Sequence, residues 1–346
     1  MTTSKQLIRS IIEHDHPHRI GHSFSKKSDD FYHIGAARFV SSPDQELLSD
    51  WGRHEELLAQ APGFRGDVRR DPFGNIYGRL EGKSKGECVR GALQGGWEML
   101  DGYELPHIDM SHYDNLMQRK LREEEKFVTA GFPLSVFSNL RDARLMGNAL
   151  VDTLAEPENV EAFLHKIRER SFQIIEGLGR AGCDAIMMAD DWGTQDRTFI
   201  SPASFREVFK PTYRIIADAV HLSGMKFILH SCGYIYAFIE DLIDAGIDVF
   251  QFDQIELYGT ERLAKEFGSR ATFFSPVDIQ KVLPTGDRAY IEKTALEMVN
   301  NFKSICQGSL IVKDYPSYGD IDVQEEWADW AREVVLQNSE ILINGL

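Results

Sequence analysis

"KFILHSCGYIYAFIEDLIDAGIDVFQF", residues 226–252, contains two apolar runs separated by an amphipathic one. "KFILH" and "DVFQF" are too short for helices and too apolar to face water, so each reads as a buried strand. Between them, "YAFIEDLIDAG" repeats apolar residues at helical spacing and ends on Gly246. The stretch is therefore a strand–helix–strand unit, and the helical crossover makes its two strands parallel. The same alternation extends on both sides. Upstream, "EPENVEAFLHKIRERSFQIIEGLGRAG" places Val160, Phe163, Leu164, Ile167, Ile174, Ile175 and Leu178 on one helical face, with Pro157 in the first turn and Gly182 as the stop. Strand "DAIMMA" follows and ends at "DDWG". Helix "SPASFREVFKPTYRIIADAVHLSG" has Ser201 as N-cap, Pro202 at its first position and Gly224 at its end. Downstream come helix "TERLAKEFG", strand "ATFFS", a helix around "RAYIEKTALEMVNNF", strand "SLIVKDY" and helix "VQEEWADWAREVVLQ".

Strands and helices in strict alternation predict a parallel sheet covered by helices. A doubly wound sheet and a (β/α)8 barrel both satisfy that pattern. No Gly-x-Gly-x-x-Gly fingerprint follows a strand, which counts against dinucleotide binding. Polar residues gather at the ends of many strands, as a barrel requires. The prediction is one (β/α)8 TIM barrel over residues 66–346, preceded by an irregular extension over residues 1–65. Within that extension "SKQLIRSIIEH" reads as a helix. "HDHPHRIGHSFSKK" reads as a solvated loop rather than a metal site, because Pro17 and Gly21 break any regular ligand spacing. "DVRRDPFGNIYGRLEG" reads as a hairpin turning at "PFGN".

The 346 residues are 42% hydrophobic, enough for a barrel-sized core. A formal net charge of −16 disfavours nucleic acid and anionic lipid as partners. The four scattered cysteines make no disulfide framework, and no membrane-length apolar run or cleavable leader is evident, so a cytoplasmic location is expected.

In a barrel the chemistry sits at the carboxyl ends of the strands. Those ends carry Asp190, Asp191 and Trp192; His230 and Cys232; Asp253, Gln254 and Glu256; Pro276 and Asp278; Asp314 and Tyr315. Asp190, Asp191, His230 and Asp253 are the candidate catalytic groups. Trp192, Gln254, Asp278, Asp314 and Tyr315 are candidates for substrate binding. Asp191 and Asp278 also suit the plainer task of capping the next helix. His230-x-Cys232 carries little weight as a triplet alone. At a strand end, however, residues i and i+2 point to the same side, so both can reach one ion. Imidazole with thiolate prefers zinc. The third ligand stays open between Asp253, Glu256 and Cys306, although Cys306 precedes its strand and belongs to the opposite rim on the simplest reading.

Residues 187–254, "MMADDWGTQDRTFISPASFREVFKPTYRIIADAVHLSGMKFILHSCGYIYAFIEDLIDAGIDVFQFDQ", resemble the uroporphyrinogen decarboxylase superfamily, and more closely its corrinoid-dependent methyltransferase branch. "DDWGTQ", "ISP…FRE.FKP.Y" and "HSCG" are the specific blocks, and "NVEAFLHKI" and "PVDIQKVLPTG" extend the likeness over roughly residues 65–335. The resemblance implies a (β/α)8 barrel whose mouth receives the corrinoid of a separate carrier protein. It implies zinc on a His-x-Cys pair, here His230 and Cys232, activating a small methyl donor or acceptor. Some members add a cysteine on a late loop, but that loop here reads "KDYPSYG". This departure weakens a thiol-methylating reading and leaves room for O-demethylation of a methoxylated aromatic. The arginine-rich "RQAGRY" segment of the decarboxylases, which grips propionates, is missing, as is the Asp-x-His-x-x-Gly corrinoid motif. Methyl transfer is thus preferred to decarboxylation of a tetrapyrrole and to a non-catalytic corrinoid-binding or tetrapyrrole-binding barrel. In the expected reaction reduced cobalt attacks the methyl group while zinc, or a protonated Asp or His230, stabilises the leaving oxygen. Trp192, Phe252, Tyr234 and Tyr315 are candidate clamps for a flat substrate, with ordinary packing as the alternative for each.

Overall fold

A computed structural model describes residues 2–25, 28–35, 39, 48–80, 86–109, 111 and 125–341. Its elements in chain order are α1 (Ser4–Ile12), β1 (Gly21–Phe24), β2 (Ser28–Asp29), β3 (Phe31–Ile34), α2 (Glu55–Gln60), β4 (Asp67–Arg70), β5 (Ile76–Arg79), β6 (Glu87–Arg90) and β7 (Phe127–Phe132). Then come α3 (Phe137–Arg144), α4 (Met146–Ala155), α5 (Pro157–Ala181), β8 (Ala185–Ala189), α6 (Lys210–Leu222), β9 (Lys226–His230) and α7 (Tyr236–Ala245). The chain closes with β10 (Val249–Gln251), α8 (Thr260–Glu266), β11 (Thr272–Ser275), α9 (Arg288–Cys306), β12 (Leu310–Lys313) and α10 (Glu325–Gln337).

Nine strands form one sheet in the order β2-β1-β12-β11-β10-β9-β8-β7-β3. All its pairings are parallel except the short β1–β2 hairpin. Removing β2 leaves eight parallel strands curled until β1 and β3 face each other, a nearly closed TIM-type barrel with helices outside. The seam is joined by polar contacts. Asp30 N–H donates to the His22 carbonyl at 2.9 Å, and Ser23 Oγ lies 2.9 Å from His33 Nε2.

The boundary expected at residue 65 therefore needs correction. β1 and β3 lie within the supposed extension, and the histidine-rich segment read as a loop supplies β1. Their sequences, "GHSF" and "FYHI", carry polar residues toward the barrel interior and so lack the uninterrupted apolar run of the later strands. The hairpin expected at "DVRRDPFGNIYGRLEG" is present as β4 and β5, which pair antiparallel.

α1 plugs the amino end of the barrel. Its Leu7, Ile8, Ile11 and Ile12 pack against the inward residues Phe31, Phe127, Ala185, Ile228, Val249, Phe274 and Ile311. Lys5 and Arg9 both pair with Asp184, at 2.9 and 2.8 Å. The larger core lies between sheet and helices, with α5 contributing Val160, Phe163, Leu164, Ile167, Ile174, Ile175 and Leu178. Pro157 opens that helix, and Gly182 ends it in a left-handed conformation at φ 74°. Ser201 Oγ accepts from Ser204 N–H as the predicted cap, after which Phe205–Phe209 forms a π-helical turn before α6. No helix among the described residues is long and apolar enough to cross a membrane.

Candidate metal centre

With the amino end plugged, the carboxyl end is the open face. Parallel register aligns Ala189 with His230, His230 with Gln251, and Lys313 with Ser23, and aligns His33 with Thr129. These residues share the parity of the inward residues beneath them, so their side chains line the barrel mouth. Ala189 and His33 remain solvent-exposed there, which marks an open cup.

Asp191, His230 and Cys232 meet on one side of this cup. One ligand atom from each lies within 4.8 Å of the others. Cys232 Sγ is 3.4 Å from His230 Nε2, and Asp191 Oδ1 is 3.8 Å from the same nitrogen. The loops after β8 and β9 must nearly touch to achieve this. A Cβ on Gly233 would lie 2.2 Å from the Gly193 carbonyl oxygen, and Gly233 has φ +76°, so glycine is required there. The contact is held by Tyr234 N–H donating to the Thr194 carbonyl at 2.7 Å and by Cys232 N–H donating to Asp191 Oδ1 at 2.7 Å.

The other imidazole nitrogen is fixed from behind. His230 Nδ1 lies 2.5 Å from Gln251 Oε1. Gln251 Nε2 donates to Asp253 Oδ1 at 2.8 Å, and Lys313 Nζ donates to the same oxygen at 3.0 Å. A carboxylate can only accept, so the amide must turn its nitrogen to Asp253 and its oxygen to His230. Nδ1 then carries the proton, and the Nε2 lone pair faces Asp191 and Cys232. That is the tautomer a metal ligand needs. Burial, then the charges of Asp191 and Asp253, push the Cys232 thiol up to about 12. A dication would displace that proton, turning an unfavourable thiolate into a ligand.

The remaining candidates separate by environment. Asp253 reaches the cup but is paired with Lys313. Gln254 accepts from Gly233 N–H at 3.3 Å, and Tyr315 lies beside Lys313, whose Nζ is 5.9 Å from its ring centre. Three expectations need correction, those for Asp190, Trp192 and Asp278. Asp190 is fully buried and accepts from Val136, Phe137 and Ser138 N–H, Ser138 Oγ–H and the Tyr213 hydroxyl. It anchors the start of α3 and does not face the cup. Trp192 is buried too, stacked on Phe137 at 4.2 Å and donating to the Tyr213 oxygen at 2.7 Å. Asp278 caps the following turn by accepting from Gln280 and Lys281 N–H, and also holds Glu256 N–H. Asp314 is held by the buried guanidinium of Arg332 at 2.8 Å.

For the third ligand, Cys306 is excluded because it ends α9 at the amino end of the barrel, near Ile11 and His14. Neither Glu256 nor Asp253 belongs to the trio; Asp191, expected as a catalytic group, is its third member. Among the aromatic clamps, Phe252 is buried against Tyr258, and Tyr234 stacks on Tyr258 as well.

Sequence reasoning missed Ser23, His33, Thr129, Gln251 and Lys313. Two of these had a readable signal. Lys313 is a charge closing an apolar strand, and Gln251 lies two residues before Asp253 on the same face.

The uroporphyrinogen decarboxylase family model matches residues 116–309. The chain belongs to the uroporphyrinogen decarboxylase family. No curated protein matches it significantly in sequence. Among solved structures, a methyltransferase from Methanosarcina mazei is similar over 97% of this chain and 99% of its own, with 13% identity and a TM-score of 0.67. A 3-keto-D-glucoside 4-epimerase from E. coli covers 71% of this chain and 94% of its own at 10% identity, with a TM-score of only 0.41. The first likeness supports the barrel fold across the whole family member. The trio lies on "DDWG" and "HSCG", within the matched residues.

Proposed function

We propose that this family member is a methyltransferase that moves a methyl group between a small substrate, such as a methoxylated aromatic, and the cobalt of a corrinoid held by a separate carrier protein. The observation that carries this reading is the Asp191–His230–Cys232 trio, with the His230 lone pair turned toward its partners. The donor set suits zinc: imidazole, thiol and carboxylate, with a hydrogen-bonded carboxamide behind the imidazole. When bound there, zinc supplies Lewis acidity to the substrate's heteroatom.

The chain's own residues do the rest. Gln251 accepts from the Nδ1–H of His230 and so selects the tautomer whose Nε2 lone pair faces the trio, and Asp253 and Lys313 hold Gln251. The apolar cup floor, formed by Phe31 and Phe274, excludes water from beneath the substrate. The open mouth leaves room for a corrinoid to approach the methyl group from outside. Decarboxylation of a tetrapyrrole fits less well. Uroporphyrinogen carries many carboxylates, whereas Lys313 is the one cation among the described inward residues of the mouth, and it is paired with Asp253.

The test is metal analysis together with methyl transfer to free reduced cobalamin. Wild type should retain zinc. Cys232→Ala, His230→Ala and Asp191→Ala should each lose zinc and transfer together while keeping the far-ultraviolet signature of the barrel. Fully active wild type without zinc would overturn the proposal.

A further inference from the structure

Two strands round the barrel from the one that leads into Asp191, the mouth is built differently. His33 on β3 lies between Ser23 on β1 and Thr129 on β7, with its Nε2 2.9 Å from Ser23 Oγ and its Nδ1 2.6 Å from Thr129 Oγ1. Both nitrogens are engaged, yet the residue is exposed to the cup. It therefore offers a ring face rather than a lone pair. Beneath it, the rings of His33 and Phe31 are nearly parallel, 5.3 Å apart at 5°. Phe31 in turn stacks on Phe274 at 5.2 Å and 9°. Phe31 and Phe274 are buried, so this three-ring stack has one open end, and it lies in the mouth. Ala189 and Gly131 leave the neighbouring wall low. Lys313, aligned with Ser23 in the next strand, is the nearby cation. Only part of its hydrogen-bonding capacity is taken by Asp253, since an ammonium carries three donors.

We infer that His33 is the stacking platform of a ring-binding subsite, so the substrate is a planar aromatic with an oxygen substituent for Lys313. An aromatic face gains by stacking on another in an offset arrangement, and an eight-stranded barrel mouth accommodates one small ligand. His33 is suited to this as a neutral ring, because the enclosure of its edges between Ser23 and Thr129, with the nearby charges of Lys313 and Lys126, lowers its pKa against the pull of Asp29. An aliphatic methyl donor would leave the stack's open end wet. The inference rests on the methyl-transfer reading for the ligand's role, but its test does not use the reaction.

The probes are guaiacol, a methoxylated phenol, and methoxycyclohexane, its saturated counterpart in shape. Each is titrated calorimetrically into purified full-length protein without corrinoid. Guaiacol should bind, and methoxycyclohexane should bind at least several-fold more weakly. His33→Asn keeps hydrogen-bonding groups for the seam but removes the ring, and should weaken guaiacol about two- to twelve-fold. His33→Phe restores the ring without those bonds and should recover affinity. In wild type carrying labelled histidine, guaiacol ring protons should show a nuclear Overhauser effect to the His33 ring, a readout that needs no variant. Equal binding of the two probes, or no contact with His33, overturns the inference and leaves methyl transfer untouched. Guaiacol binding without any transfer to cobalamin defeats the reaction instead.

Discussion

His230 can serve a metal in only one tautomer, and a carboxamide one strand away selects it. Gln251 is uncharged, so it sets the tautomer without adding charge to the site. Replacing it by leucine removes the acceptor for Nδ1–H and frees the ring to take the other tautomer. Gln251→Leu should lower zinc affinity about 10- to 100-fold, measured by competition with a chromophoric chelator. Gln251→Glu combined with Asp253→Asn reverses the amide–carboxylate polarity and still gives Nδ1–H an acceptor, so it should retain most of that affinity. Unchanged affinity in the leucine variant would remove Gln251 from this role. Asp190 shows the opposite case. It is adjacent to Asp191 in sequence, but extended chain sends the two side chains to opposite sides. One meets the amide groups that start α3, and the other meets His230 and Cys232.

At the scale of elements, the barrel closes at a weak point between β1 and β3. No ladder joins those strands among the described residues, and side chains take its place. His22 is central to this seam. It is buried, with Nε2 2.6 Å from Ser339 Oγ, and Nδ1 3.2 Å from Ser28 Oγ and 3.3 Å from Arg19 Nη1. Its backbone N–H donates to Asp30 at 2.9 Å, and its ring stacks on Phe24. Burial, aided by the Arg19 charge and opposed by Asp30, lowers its pKa to about 4. The unfolded chain binds a proton near pH 6.5, so between there and about pH 4 it holds more protons than the folded chain. His22 therefore contributes stability above pH 6.5 that is lost as pH falls toward 4. Denaturant melts at neutral pH and near pH 5 should show wild type losing more stability than His22→Asn. Parallel losses in the two proteins would show that His22 does not report on the seam.

At the scale of the molecule, an acidic protein presents a mouth that holds the Asp191 carboxylate and a Lys313–Asp253 ion pair. The net charge is −16, while inside the cup Lys313 pairs with Asp253. A polycarboxylate approaching it would meet repulsion outside and no unpaired cation within. Incubation with uroporphyrinogen should accordingly release no carbon dioxide above background. Turnover there would return this family member to the decarboxylases and end the methyl-transfer reading.

Residues 185–337 were legible because their strands are buried on both faces and their helices on one. Burial of that kind writes apolar runs and helical periods directly into the chain, and it made the barrel readable together with the rim that carries Asp191, His230 and Cys232. Which of the rim carboxylates face the cup was not legible. Asp190 and Asp278 look like Asp191 in a sequence, and only their neighbours in space, the amides of α3 and of the turn after β11, decide that they are structural. The first strands were hidden for a related reason. Ser23 and His33 turn toward the barrel mouth and bond to each other, so β1 and β3 lack the apolar signature of their sisters. Where the interior is dry, each residue answers to solvent exclusion and its type reveals its place. Where the barrel opens, each answers to a partner on another strand, and that pairing exists only once the sheet has curled.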